Sequence, residues 1–200
     1  FDQTKHVREC YYTSSSDLRL SFDFNVDPIT AIASQYVDEE IRILKEFRLQ
    51  NSDIYELCDQ IAAAYPNSLM IVTGDATGHN RSALAQGNIN YYSVIKQKLS
   101  LSDGQMMQPS VNPAVKDSRV LVNSLLQNYP LFIDPSCTHL IDDLKYVEVK
   151  EDTNDIDKTK DKHRSHLLDT FRYLLNTFHK DLIHLKVFDE VIHKYYNDEE

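Results

Sequence analysis

The feature that most constrains the fold is a set of three strand-like runs joined by short connections near the N-terminus. In the first run, residues 18–25, apolar side chains alternate with polar ones, which is the period of a half-buried strand. Asp27-Pro28 is a turn signal, and residues 29–36 and 40–49 form two further runs rich in Ile, Ala, Phe and Leu. Because strands joined by short connections pair with their neighbours, the pattern predicts an antiparallel meander.

After the meander, helical and strand patterns alternate, which is typical of parallel strand pairing. The almost wholly polar residues 150–162 predict a loop or hairpin. We therefore expect an α/β fold with a mixed sheet, in which three antiparallel strands are followed by parallel strands and helices cover both faces, as a single domain over residues 1–200. The patterns predict helices over 54–64, 82–99, 115–126, 137–144, 164–178 and 181–196, and strands over 69–72, 131–134 and 146–149.

Composition narrows the class of protein. A chain of 200 residues with 42% hydrophobic and 26% charged residues is long enough to bury a core. No run approaches the roughly 18 apolar residues of a membrane span, and the N-terminus lacks a signal-peptide pattern, so we expect an intracellular protein without a membrane partner. Three widely spaced cysteines without a CxxC motif favour reduced structural thiols. A first residue that is not Met suggests a piece of a longer polypeptide.

The net charge of −10 at first disfavours a nucleic-acid partner, because phosphate binding usually leaves a basic footprint. The charge is uneven, however. Residues 131–161 carry nine acidic and four basic residues, a net −5, whereas residues 76–130 carry five basic and two acidic residues, a net +3. The five basic residues are candidates for phosphate contacts, with surface solubility as the alternative: Arg81, Lys96, Lys98, Lys116 and Arg119.

Three aspartates stand at positions that suit a catalytic site. Asp23 lies inside the first strand, where the alternative is an outward-facing polar residue. Asp75 follows the apolar run 69–72, and the carboxyl ends of parallel strands face the ligand crevice of α/β sheets; a turn or helix-capping role is the alternative. Asp169 lies in an apolar helix with His166 three residues earlier on the same face, where a carboxylate is costly unless paired or bound to a metal.

Clustered carboxylates need cations or protons, because two of them about 4 Å apart repel by roughly 4 kcal/mol at an effective dielectric of 20. Hard oxygen ligands suit Mg²⁺ or Mn²⁺, and a histidine beside them favours Mn²⁺ slightly. One or two such ions can activate water against a phosphodiester, which is nuclease chemistry. The chain has no GxxxxGK[ST] loop for ATP and no nucleophile elbow for Ser-His-Asp catalysis.

The motifs in this order resemble those of the C-terminal nuclease domain of the large terminase subunit of tailed bacteriophages, which has a ribonuclease H-like fold. Residues 21–28, SFDFNVDP, look like the first motif; residues 73–82, TGDATGHNRS, like the second; and residues 165–173, SHLLDTFRY, like the third. Residues 112–119 and 132–144 resemble further segments of that domain. Thr170 departs from the family, which more often carries Ala after the third aspartate.

The resemblance implies an endonuclease that cuts concatemeric double-stranded DNA during viral genome packaging. It implies Asp23, Asp75 and Asp169 as ligands of one or two Mg²⁺ or Mn²⁺ ions, with His166 as an accessory catalytic group. It also implies an upstream ATPase domain outside this chain, the small terminase subunit and the portal protein as partners, a monomeric isolated domain, and the host cytoplasm as location. Two alternatives stay open: another ribonuclease H-like nuclease, such as a junction resolvase, and a non-catalytic docking domain with the three aspartates dispersed.

Overall fold

A mixed β-sheet forms the centre of the molecule. The structure, a computed structural model, describes residues 1–25, 27–80, 89–147 and 165–183. Within these ranges the sheet has five strands in the order β4-β1-β2-β3-β5. The strands are β1 (Leu18–Asp23), β2 (Ile29–Val37), β3 (Glu40–Leu49), β4 (Met70–Gly74) and β5 (Leu131–Ile133).

The strand directions follow the predicted plan. β1, β2 and β3 pair antiparallel, as the short connections between them require. β4 then joins β1 in parallel and β5 joins β3 in parallel, so the two later strands flank the meander on opposite edges. The mixed α/β sheet predicted from the sequence is confirmed.

Six helices surround the sheet within the described ranges. Asp53 begins α2 by accepting hydrogen bonds from the backbone N–H groups of Tyr55 and Glu56 at 2.9 Å, which is the usual chemistry of a helix start. No helix in these ranges is long and apolar enough to cross a membrane. The helices are α1 (Gln3–His6), α2 (Ile54–Ala64), α3 (Tyr91–Lys98), α4 (Val115–Asn128), α5 (Thr138–Tyr146) and α6 (His166–Phe178).

Apolar side chains form one core on each face of the sheet. One core joins the sheet to α2 and α3 and contains Leu20, Phe22 and Leu57, each without exposed surface. The other joins it to α4, α5 and α6 and contains Ile43 and Phe171, which are also fully buried. Because helices cover both faces, Ser21 and Asp23 on the polar face of β1 are buried as well, as expected for a central strand of such a sheet.

Helix α6 crosses the sheet over β1 and β2 through a seam of small hydroxyl side chains. The Ser21 hydroxyl donates to the Thr170 carbonyl at 2.8 Å, and the Thr30 and Thr170 hydroxyls lie 2.8 Å apart. Thr170 also donates to the His166 carbonyl at 2.8 Å. The hydroxyl by which Thr170 departs from the terminase motif is therefore used in packing the helix against the sheet.

The structure corrects two predicted elements. The predicted strand 146–149 is wrong at its start, because Tyr146 is the last residue of α5 and Val147 caps that helix by donating to the Asp143 carbonyl. The predicted helix 82–99 begins later, because the side chain of Asn90 caps α3. Residues 81–88, the loop 150–162 and most of the predicted helix 181–196 lie outside the described residues.

Candidate functional site

Asp23 and Asp75 lie side by side at the carboxyl ends of the parallel strands β1 and β4. The strand register pairs Phe22 with Gly74, and the Asp75 N–H donates to the Phe22 carbonyl at 2.9 Å. A Cβ at Gly74 would stand 2.5 Å from that same carbonyl oxygen, so the two strands approach this closely only because position 74 is glycine. The close approach brings the first two predicted site residues together.

Asp75 also caps the short 3₁₀ helix of residues 76–79, as the alternative interpretation predicted. Its Oδ1 accepts from the Thr77 N–H at 2.7 Å and from the Asn112 side-chain amide at 2.8 Å. The side-chain oxygen of Asn112, Oδ1, in turn accepts a hydrogen bond from the Ala76 N–H at 2.8 Å. The Tyr173 hydroxyl lies 3.5 Å from the other oxygen, Oδ2. The capping contacts hold one carboxylate oxygen at the turn, and Oδ2 lies toward α6.

Asp169 and His166 reach the same place from the first turns of α6. The His166 Nδ1 atom lies 3.5 Å from Asp23 Oδ2 and 2.7 Å from the Asn25 amide nitrogen. The Asn25 amide also donates to Asp23 Oδ2. Asp23 and Asp169 are 3% and 7% exposed, which excludes an outward-facing Asp23.

The electrostatics of Asp23 reflect this crowding. Burial raises the pKa of the Asp23 carboxyl, the carboxylates of Asp169 and Asp75 raise it further, and His166 opposes them through its hydrogen bond and charge. The pKa of the Tyr173 hydroxyl is also raised, first by burial and then by the same three aspartates. The three carboxylates therefore act on common neighbours, and the site is an anionic pocket that a proton or a cation would stabilise.

A buried arginine, which sequence reasoning missed, neutralises part of this charge. Arg172 is 3% exposed and donates from its Nη1 to Asp169 Oδ1. Its Nε donates to the Ser118 hydroxyl at 2.8 Å. The available signal was an arginine three residues after Asp169 in an apolar helix, where such a charge requires a partner.

A third buried carboxylate, which sequence reasoning also missed, supports the start of α6. Asp143 is 6% exposed, and its Oδ2 accepts from the Leu168 N–H at 3.2 Å. Burial raises the pKa of this carboxyl, and hydrogen bonds from the backbone of Ser165 and Leu168 lower it. Ser165 itself has a φ of 84° and makes no side-chain capping bond, so Asp143 supplies an acceptor to the unpaired amides there.

The predicted DNA-contacting residues have different environments. Lys96 and Lys98 end α3 in ion pairs of 2.5 Å with Asp103 and Asp59. Lys116 is exposed on α4, and Arg119 lines a cavity of about 190 Å³ beside Arg172. Arg81 lies outside the described residues.

The chemistry of the donors suits a hard divalent cation, because the candidate ligands are carboxylates, of which Asp23 and Asp169 are buried. Within residues 1–25, 27–80, 89–147 and 165–183, no group of three or more His, Cys, Asp or Glu side chains is arranged to hold a metal ion. Each aspartate instead accepts a hydrogen bond from a neighbouring side chain. Asn25 donates to Asp23, Asn112 donates to Asp75, and Arg172 donates to Asp169.

Comparison with known proteins gives matches in structure alone. No family model matches the sequence, and no curated protein matches it. Among solved structures, the large terminase of a thermophilic bacteriophage superposes with a TM-score of 0.68 at 16% identity. That match covers 89% of this chain and 44% of the terminase chain, so the chain spans less than half the length of that terminase.

Two nuclease structures match over most of their own length. The P22 large terminase nuclease domain superposes with a TM-score of 0.63 at 13% identity, covering 89% of this chain and 91% of that one. The large terminase nuclease of the thermophilic phage G20c with bound magnesium superposes with a TM-score of 0.53 at 10% identity, covering 82% and 83%. The protein therefore has a ribonuclease H-like mixed α/β fold. More particularly, its fold is similar to that of the P22 large terminase nuclease domain.

Proposed function

We propose that this protein is a metal-dependent endonuclease that cleaves concatemeric double-stranded DNA during viral genome packaging. The observation that carries the proposal is the side-by-side position of Asp23 and Asp75 at the carboxyl ends of β1 and β4, where the charge of Asp169 on α6 also acts on the Asp23 carboxyl. A fold shared with terminase nuclease domains supports the same chemistry.

Asp23, Asp75 and Asp169 would hold one or two Mg²⁺ or Mn²⁺ ions. The donor set is carboxylate oxygen, and the magnesium bound in the G20c nuclease supports the choice of ion. When bound, such ions activate a water molecule and stabilise the leaving oxygen of the phosphodiester. The pKa of the Asp23 carboxyl is raised first by burial and then by the carboxylates of Asp169 and Asp75, so a bound cation would stabilise its anion.

His166 would serve as an outer ligand or proton carrier. Its ring nitrogen lies 3.5 Å from Asp23 Oδ2 at the margin of the carboxylate pocket. The Asn25 amide nitrogen, a donor, lies 2.7 Å from Nδ1, so Nδ1 is the acceptor in this contact. An imidazole can take up and release a proton near neutral pH, and His166 would take one up at Nδ1 once the contact with Asn25 is released.

The DNA would lie across the outer end of the site. Lys116 and Arg119 are the better candidates for phosphate contacts, since α4 begins next to the Asn112–Asp75 contact. Lys96 and Lys98 would have to leave their acidic partners first. In the parent protein, an ATPase domain, the small subunit and the portal would be the partners, in the host cytoplasm.

The test is cleavage of plasmid DNA by the wild-type protein and by three separate variants, Asp23→Asn, Asp75→Asn and Asp169→Asn. Each substitution removes a charge and keeps the size of the side chain. We expect every variant to lose at least about 100-fold in rate in Mg²⁺ and in Mn²⁺, on the order expected when a catalytic ion loses a ligand. Asp142→Asn, which changes an exposed aspartate on α5, is the matched control and should cleave normally.

Cleavage by Asp23→Asn at the wild-type rate would rule the assignment out. Comparing DNA substrates separates the proposed function from the two alternatives. Preference for four-way junctions over linear duplexes would indicate a resolvase, and a wild-type protein that binds neither metal nor DNA would indicate a docking domain.

A further inference from the structure

We propose that the beginning of α4 is a positioning element of the metal site, acting on Asp75 through Asn112 and on Asp169 through Ser118 and Arg172. The inference rests on the proposed function and extends it to residues that hold the carboxylates without contacting the ions. It follows from two hydrogen-bonded chains that start in the same segment and end on different aspartates.

The first chain runs from Asn112 to Asp75. The Asn112 amide donates to Asp75 Oδ1 at 2.8 Å, and its carbonyl oxygen accepts from the Ala76 N–H at 2.8 Å. A single planar carboxamide therefore contacts both the side chain and the adjacent backbone of the second site residue. Two bonds from one rigid group restrict the rotation of the carboxylate more than one bond would, and they leave Oδ2 toward α6.

The second chain runs from Ser118 through Arg172 to Asp169. The Ser118 hydroxyl lies 2.9 Å from the Ala114 carbonyl and 3.1 Å from the Val115 carbonyl, the bond geometry of a donor to its own helix. Because the Ser118 hydroxyl proton is used within the helix, the hydroxyl oxygen accepts a hydrogen bond from Arg172 Nε at 2.8 Å. The guanidinium is planar, so fixing Nε also fixes the Nη1 that donates to Asp169.

The burial of this second chain makes it a precise support. Arg172 is 3% exposed and Ser118 is 1% exposed, so water competes little for these bonds. Both chains depend on α4, which packs against α6 and begins three residues after Asn112. The start of α4 therefore sets the orientation of two of the three carboxylates together.

The experiment measures binding of Mn²⁺ alone by titration calorimetry and, separately, the rate of DNA cleavage against Mn²⁺ concentration. The variants are Asn112→Ala, Arg172→Lys and Ser118→Ala, in the same chain. Arg172→Lys keeps the positive charge but removes the planar guanidinium that joins Ser118 to Asp169. A change in Mn²⁺ affinity in this variant therefore reports the orientation of Asp169 rather than the charge. Ser124→Ala, a serine two turns further along α4, is the matched control, and thermal unfolding without metal shows that each variant is folded.

We expect Asn112→Ala and Arg172→Lys to weaken Mn²⁺ binding about 10-fold to 100-fold, as is usual when a group orienting a metal ligand is lost, with a smaller effect for Ser118→Ala. The Mn²⁺ concentration for half-maximal cleavage should rise in parallel, while KM for DNA and the Ser124→Ala control stay unchanged.

Two results would overturn the inference in distinguishable ways. A wild-type protein that binds Mn²⁺ and cleaves, together with folded Asn112→Ala and Arg172→Lys variants of wild-type Mn²⁺ affinity, would refute the positioning role and leave the proposed function intact. A wild-type protein that neither binds Mn²⁺ nor cleaves DNA would refute both.

Discussion

The two ends of β1 and α6 bury charge in opposite ways. At one end, Asp23 and Asp169 bring carboxylates together, and the pKa of Asp23 is raised by burial and by its acidic neighbours. At the other end, Arg19 of β1 lies beside His179, which follows α6, with Nη1 and Nε2 3.4 Å apart. Both ends therefore bring ionisable groups of the same type close together under the same helix.

The basic end relieves its repulsion with its own atoms. Burial, followed by the Arg19 charge, lowers the pKa of His179 to about 3, so this imidazole is neutral near neutral pH. The Arg19 guanidinium lies over the rings of Tyr36 and Phe178, at 5.6 and 5.3 Å from their centroids, which suits a partly buried cation.

The acidic end keeps part of its repulsion. Arg172 forms an ion pair with Asp169, but the carboxylates of Asp169 and Asp75 still raise the pKa of Asp23, after burial. The comparison indicates that the basic end neutralises its charges internally, whereas the acidic end retains a surplus, as the proposed cation site requires. Four measurements, from the largest expected effect to the smallest, test this difference.

Mn²⁺ should stabilise the acidic end alone. At a concentration about 100 times the dissociation constant, binding to the native state adds about 2.7 kcal/mol to the free energy of unfolding. We expect this gain, measured by thermal unfolding, in the wild type and in His179→Gln, and its loss in Asp23→Asn. Equal gains in all three proteins would contradict the comparison.

The basic end should dominate the response of stability to mild acid. Because the folded pKa of His179 is lowered to about 3 from 6.5, the unfolded chain binds one more proton between these pH values. The contribution of His179 is therefore complete above pH 6.5 and falls by up to about 1.4 kcal/mol per pH unit as the pH drops through that window. Urea unfolding at several pH values should show a shallower slope for His179→Gln, and an unchanged slope would be evidence against a buried neutral imidazole.

Removing charge from the acidic end should stabilise the metal-free fold. The raised pKa of Asp23 means that its anion destabilises the native state, so Asp23→Asn should raise the free energy of unfolding by on the order of 1 kcal/mol at neutral pH. The gain should disappear below about pH 3.8, the ordinary value of this carboxyl, where the wild-type residue is protonated in both states. Asp142→Asn on the exposed face of α5 is the control, and a loss of stability in Asp23→Asn would show that the Asn25 contact outweighs repulsion.

The weakest effect concerns DNA contacts near the acidic end. If Lys116 binds one phosphate, Lys116→Ala should lower the slope of log K against log salt by about 0.9 without changing stability. Lys96→Ala is the matched control, because that lysine is paired with Asp103 on the surface, where such pairs contribute about 0–1 kcal/mol. Fluorescence anisotropy with a DNA duplex at several salt concentrations makes the measurement, and equal slopes for both variants would remove Lys116 from the interface.

The sequence predicted most of the fold because its signals are local. The meander 18–49, the helix 54–64 and the helix ending at Phe178 all follow from period-2 or helical spacing and from turn residues nearby. The strand predicted at 146–149 is wrong at its start because a short apolar run is compatible with either state, and packing of Leu140 and Ile141 continued α5 to Tyr146.

The three aspartates were predicted from the sequence because each interrupts an apolar run or follows a buried strand, and their role as metal ligands stays a prediction. The residues that form hydrogen bonds to these carboxylates, or to their partners, were not predicted from the sequence. Asn112 is 37 residues from Asp75, and Ser118 is 54 residues from Arg172, and neither spacing has a sequence signature. Asp143 likewise reads as an ordinary helix residue until α5 packs beside the start of α6.

The amino-acid pattern alone thus determined the strands, the helices and the acidic positions, since burial of apolar side chains at regular spacing selects secondary structure locally. Tertiary structure decided that Asp23 and Asp75 are neighbours, through the parallel pairing of β4 with β1, and that Asn112 and Arg172 hold the carboxylates. The reason is physical: a hydrogen bond between distant residues depends on strand order and helix packing, and the free energy of those arrangements is a property of the whole chain.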